Sequence, residues 1–172
     1  MNKSKNVFIS HYHKDDEHLQ RLKNRFSEKG FMLKNSSIDS TKPDRGRLST
    51  KNIEKLLKLR IRWAGVFICL IGDNTHTRPW VNHEIKQAAL MGKHIIGIYA
   101  HGSMQNAYLP ENFEKYGGQR FGWNSVDKMI NAIETGDRYA WEDSDGKIST
   151  QNYNLCELRV KTQSKVGQRQ PI

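Results

Sequence analysis

Apolar residues follow two alternating rhythms along the chain. Uninterrupted runs such as Val7-Phe8-Ile9 and Val66-Phe67-Ile68-Cys69-Leu70-Ile71 are followed by stretches in which apolar positions recur every three or four residues. The first rhythm predicts strands and the second helices. After the strand ending at Ser10, Leu19, Leu22 and Phe26 predict a helix over about residues 15–29, opened by Asp15, Asp16 and Glu17 and closed by Gly30. Phe31-Met32-Leu33 predicts a weaker strand, and the polar stretch from Asn35 to Thr50 a long surface loop. Ser49 or Thr50 then caps a helix with Ile53, Leu56, Leu57 and Ile61 inward. The run from Val66 to Ile71 lacks alternation, as in a parallel strand covered on both faces.

Gly72 to Arg78 predicts a loop, and Pro79 the first turn of a helix carrying Val81, Ile85, Ala88 and Ala89 inward. Ile95 to Tyr99 predicts a further buried strand, and a polar loop containing Pro110 leads to a short strand at Arg120 to Trp123. Ser125 caps a last helix, with Val126, Met129, Ile130 and Ile133 inward and Gly136 at its end. The alternation predicts a flavodoxin-like α/β fold, a doubly wound parallel sheet of four to five strands. It ends at residue 136. Residues 137–172 form an extension, with Asp145-Gly146 turning a hairpin between Tyr139-Ala140-Trp141 and Lys147-Ile148, then a flexible basic tail from Lys161.

The length of 172 residues suits one such domain and excludes two large ones. Twenty-eight Lys and Arg against 18 Asp and Glu give a net charge of +10, which attracts anions without choosing among them. Cys69 and Cys156 have neither metal-ligand nor disulfide-framework spacing, which fits a reducing cytoplasm. No signal-peptide core and no run near the roughly 18 apolar residues of a membrane span occurs, so the expectation is a soluble cytoplasmic protein with no membrane partner.

Several chemistries fall on motif grounds. Neither Gly-x-Gly-x-x-Gly after the first strand nor a P-loop is present, so dinucleotide-binding dehydrogenases and P-loop enzymes are unsupported. His83-Glu84 opens like a zincin helix, but position 87 is Gln, and His11 and His13 alone do not make a metal site. Gly-x-Ser-x-Gly is absent, and no nucleic-acid motif accompanies the charge. No metal or cofactor is called for.

In a doubly wound sheet ligands bind beyond the carboxyl ends of the strands. The informative segments are Ser10-His11-Tyr12, the region through Asp39-Ser40, and Asp73 to Glu84. Trp80 and Glu84, four apart on a helix, share one face. Two readings stand at this point: an aromatic ring and a carboxylate on one pocket wall, or a stapling Trp beside a solvated Glu.

A family resemblance bears on that choice. Val7-Phe8-Ile9-Ser10 is similar to the first-strand box of TIR (Toll/interleukin-1 receptor) domains, and Thr77-Arg78-Pro79-Trp80-Val81-Asn82-His83-Glu84-Ile85 resembles their Ser-x-Trp-x-x-x-Glu signature. The string from Leu70 to Thr75, Trp80 to Ile85, and Gly92 to Ile98 resembles the ThsB TIR-like proteins of bacterial Thoeris antiphage defence. The resemblance covers about residues 5–135, placing a TIR-like domain at 5–136. It implies an NAD nucleosidase or ADP-ribosyl cyclase that takes NAD as substrate and makes a cyclic ADP-ribose-type signal. It also implies a homo-oligomer through TIR contacts and a separate effector protein that responds to the product. By the same resemblance Glu84 is the catalytic carboxylate, Trp80 packs the pocket wall, and Phe8, Ser10, His11, Tyr12, Asn74 and Thr75 bind substrate, while Asp39 joins them by its place beyond the second strand. The competing reading is a non-enzymatic scaffold or receiver-like module on the same fold, with Asp15, Asp16 and Asp73 as its acidic cluster.

Overall fold

A computed structural model describes residues 3–37, 49–103, 107–136 and 141–148. Five parallel strands, β1 (Lys3–Ser10), β2 (Phe31–Asn35), β3 (Val66–Ile71), β4 (His94–Tyr99) and β5 (Arg120–Phe121), form one sheet in the order β2-β1-β3-β4-β5. The helices are α1 (Asp16–Glu28), α2 (Thr50–Trp63), α3 (Pro79–Leu90), α4 (Glu111–Tyr116) and α5 (Val126–Thr135). The predicted doubly wound α/β architecture is thus the observed one.

The period of two along each strand sorts the core into two layers. Val7, Ile9, Val66, Ile68, Leu70, Ile96 and Ile98 pack with Leu19, Leu22 and Phe26 of α1 and Met129 and Ile133 of α5. Phe8, Phe67, Cys69, Ile71 and Ile95 face the other way, onto Leu57 and Ile61 of α2, Val81, Ile85 and Ala88 of α3, and Phe113 of α4. Every residue of β3 is buried, as its unbroken apolar run requires. Because α1 lies on one layer and α2 on the other, the strand order turns between β1 and β3. That is where such sheets open a crevice at the carboxyl ends.

Two expectations are corrected. The segment after Pro110 is not all loop: Glu111 to Tyr116 makes the short helix α4, and its one buried residue, Phe113, gives no periodic signal. Gly97 makes room for it, since a Cβ there would lie 2.7 Å from the Phe113 ring. The first helix, Asp16–Glu28 between the cap residues Asp15 and Lys29, fits its predicted span and follows a 3-10 turn over His13–Asp15. Ser125 precedes α5, but its hydroxyl does not cap that helix; it donates to Oε2 of Glu142 at 2.5 Å.

The hairpin lies partly within the described residues. Glu142 and Ile148 form an antiparallel bridge, with Gly146 at φ 81° in the turn. Tyr139, Ala140 and the basic tail lie outside the described residues. Trp141 pairs in parallel with Arg120, and its indole Nε1 donates to the Gly118 carbonyl at 3.1 Å. Glu142, 1% exposed, accepts from the Gly122 amide at 3.0 Å and from Lys128 at 2.5 Å. Gly122 must be glycine here, because a Cβ would lie 2.5 Å from the backbone nitrogen of Gly146.

Candidate active site

Ser10 ends β1, in register with Cys69 of β3, and belongs to the layer that faces α3. Its neighbour in that layer is Glu84, on the second turn of α3. Pro79 sets the first turn, where its missing N–H leaves no bond unmade. Val81, Ile85 and Ala88 anchor the inner face, and that spacing turns Glu84 toward the end of the sheet. Glu84 is only 5% exposed, and the Ser10 hydroxyl donates to its Oε2 at 2.5 Å. It is therefore not a solvated helix residue. Its charge reaches the buried Cys69 thiol, whose pKa is pushed up, chiefly by burial and then by Glu84 and Asp15.

Above this pair opens a cavity of about 250 Å³ lined by Glu84, Trp80, Tyr12, His11, Arg78 and Ile9, with His13, Ser37, Pro79 and Val81 completing the wall. His11 is fixed at both ring nitrogens, Nδ1 lying 3.2 Å from the Ile9 carbonyl and Nε2 2.7 Å from Oδ1 of Asp16. The Arg78 guanidinium rests on the Tyr12 ring at 3.9 Å, and its Nε donates to the Asn74 carbonyl at 3.3 Å. Trp80 stacks on His83 with centroids 5.3 Å apart and packs against the α3-side core. The cavity therefore combines one buried carboxylate with apolar and aromatic walls and a cationic rim. Such a site holds a flat ring, favours an anionic group at its mouth and stabilises positive charge at its floor.

The residues named from sequence do not all converge there. Glu84, His11, Tyr12 and Trp80 line the cavity, and Ser10 holds Glu84 from behind. Phe8 does not reach it: the ring is fully buried and stacked on Phe67 with centroids 5.4 Å apart. Thr75 is also fully buried and organises its own loop, accepting from the Gly72 amide at 2.8 Å and donating to the Leu70 carbonyl. Asn74 borders a different cleft, on the α1 side of Tyr12, and Asp39 lies outside the described residues. The sequence reading missed Arg78 and His13. Arg78, directly before the helix-opening Pro79, was the legible one, since a side chain there overhangs the helix start.

The acidic trio of the receiver-like reading is not assembled. Asp16 turns to His11, while Asp15 and Asp73 face the second cleft. Among the described residues no group of three or more His, Cys, Asp or Glu is arranged to hold a metal ion. No helix of the described residues is long and apolar enough to cross a membrane.

The profile of the family described as "Thoeris protein ThsB, TIR-like domain" matches residues 8–105, more than half of the chain. No curated protein is significantly similar. Among solved structures, a CMP N-glycosidase of Clostridium botulinum, BcmB, is 21% identical, covering 76% of this chain and 98% of its own, with a TM-score of 0.45. The TIR domains of the activated Roq1 resistosome, which recognises the pathogen effector XopQ, are 15% identical, covering 94% and 99%, with a TM-score of 0.44.

Proposed function

The chain belongs to the ThsB TIR-like domain family, and from that premise we propose that it cleaves the nicotinamide N-glycosidic bond of NAD. The observation that carries this reading is Glu84: a carboxylate 5% exposed, held by Ser10, on the wall of a cavity with an aromatic side and a cationic rim. The bond from the ribose C1′ to the pyridinium nitrogen breaks with its electron pair going to the ring. Nicotinamide leaves neutral and needs no general acid. Positive charge passes to an oxocarbenium-like ribose, and Glu84 faces that charge from a largely water-excluded wall, where its field is strongest.

Trp80 and Tyr12 flank the ring and ribose, His11, with both ring nitrogens engaged by Ile9 and Asp16, gives a rigid wall, and Arg78 draws the pyrophosphate to the mouth. Attack on C1′ by water yields ADP-ribose, and the nucleophile's proton passes to solvent. Attack by a nitrogen or hydroxyl of the same molecule yields a cyclic isomer. The family context favours the cyclic product, made as a signal for a separate effector protein during phage infection, with TIR contacts joining copies of the chain.

The test is nicotinamide release from NAD by the full chain, with and without extract of phage-infected cells, followed by chromatography with mass detection. Product mass separates cyclisation from hydrolysis, which adds a water. Glu84→Gln keeps size and hydrogen-bonding capacity while deleting the charge, so release should fall on the order of 10²-fold or more. A folded Glu84→Gln variant with parental turnover would move the catalytic carboxylate elsewhere, and a parent that releases no nicotinamide in either condition would overturn NAD cleavage.

A further inference from the structure

On the far side of Tyr12 lies a second cleft, about 220 Å³, bordered by Asp15, His18, Asp73, His101 and Ser103. Three atoms set it apart: Oδ2 of Asp15, Nδ1 of His18 and Oγ of Ser103 are each buried without a hydrogen-bond partner. Native proteins leave few such atoms, and these three belong to residues that border one cleft, which marks it as a place where a small side-chain adjustment lets a bound group complete the bonding. The fold makes room for this at a specific point. Asp15 lies against the bare Cα of Gly72 at the end of β3, where a Cβ would meet its Oδ2 at 2.8 Å. Burial pushes the Asp15 carboxyl pKa up, opposed by the neighbouring His18 and His11 and by a hydrogen bond from Thr75, with Asp73 adding to the rise.

The chemistry of the three atoms narrows the ligand. A carboxyl oxygen, an imidazole nitrogen and a hydroxyl together offer acceptor and donor positions to groups that are themselves both, which describes adjacent hydroxyls. Carboxylates bind the diol of a nucleotide ribose in this way. The two cavities share Tyr12 as a wall, and cations stand on both sides of it: Arg78, stacked on the ring, borders the first and Lys14 the second. A dinucleotide has matching parts, a riboside at each end of a pyrophosphate.

We propose that the second cleft takes the ribose diol of the non-reacting nucleoside, so that the substrate straddles Tyr12 with its pyrophosphate between Arg78 and Lys14. This rests on the reading of the first cavity as an NAD-cleaving site.

The experiment uses the full chain under whichever condition supports nicotinamide release, with ADP and nicotinamide mononucleotide as competitors representing the two halves of NAD. ADP should compete with NAD. Asp15→Asn and Ser103→Ala should each raise the KM for NAD and the inhibition constant of ADP by about tenfold, the loss of one good hydrogen bond. Both should leave kcat and the inhibition constant of nicotinamide mononucleotide within about twofold. Absence of ADP competition in the parent, or unchanged NAD and ADP constants in folded variants, overturns the second cleft while leaving NAD cleavage standing. Equal weakening of both competitors also overturns it, since that reports general damage. Ser103→Ala only trims a hydroxyl and carries the test independently of the charge that Asp15→Asn removes. A parent that releases no nicotinamide removes the premise and the proposal together.

Discussion

Replacing Ser10 by alanine tests the hydrogen bond that it donates to Glu84. The hydroxyl is 1% exposed and donates to a carboxylate that is itself 5% exposed, so water cannot fill in when it is removed. Hydrogen bonds to a charged group contribute about 1.5 to 3 kcal/mol net. For a chain of this length each kcal/mol moves the melting temperature by about 2 to 4 °C, giving an expected drop of about 3 to 12 °C for Ser10→Ala. Circular dichroism melts and urea midpoints measure it. In a Glu84→Gln background the lost bond is between neutral groups, so the same substitution should cost only about 0.5 to 1.5 kcal/mol, and the cycle should show coupling of about 1 to 2 kcal/mol. A positioning role also predicts that kcat for nicotinamide release falls more than KM rises. A Ser10→Ala protein that melts within a degree of the parent and shows no coupling to position 84 would refute the reasoning.

Phe8→Leu should lower stability by about 1 to 2 kcal/mol in urea titration, because the ring is core, while leaving the KM for NAD unchanged. Asp15 has a folded-state pKa above its ordinary value, so its ionisation opposes folding as pH rises. Asp15→Asn should therefore raise the melting temperature at pH 7, with the gain fading as pH falls toward the ordinary carboxylate range; a gain that persists at pH 3 would contradict this. Glu142→Ala strips the Gly122 amide and the Ser125 hydroxyl of their acceptor and should cost about 2 to 6 kcal/mol by urea midpoint.

The sheet was legible because its signals are local: the unbroken run of β3 and the helical spacing on either side of it need no knowledge of distant residues. The failures share a physical cause. Phe8 was grouped with its neighbours in the chain, yet the two-residue alternation that turns Ser10 toward α3 also seats Phe8 below it, against Phe67. Thr75 looked available in a polar loop, but it satisfies backbone groups of that loop and is fully buried doing so. The Ser10–Glu84 bond joins residues 74 apart, and the Arg78–Tyr12 stack joins two loops; neither leaves a periodic trace. That Trp80 and Glu84 share one wall of the cavity is legible because their spacing of four is itself helical.

The eight residues Trp141–Ile148 have a consequence for solubility. β5 is an outer strand of the sheet, and an outer strand offers unpaired backbone groups to any passing chain. Trp141 and Glu142 occupy that position, the Glu142 amide donating to the Arg120 carbonyl at 2.9 Å, and the buried Glu142 side chain pins them there. A protein cut after residue 136 would uncover that strand beside the apolar Phe121 and Trp123, and its first symptom would be concentration-dependent precipitation rather than loss of helical signal.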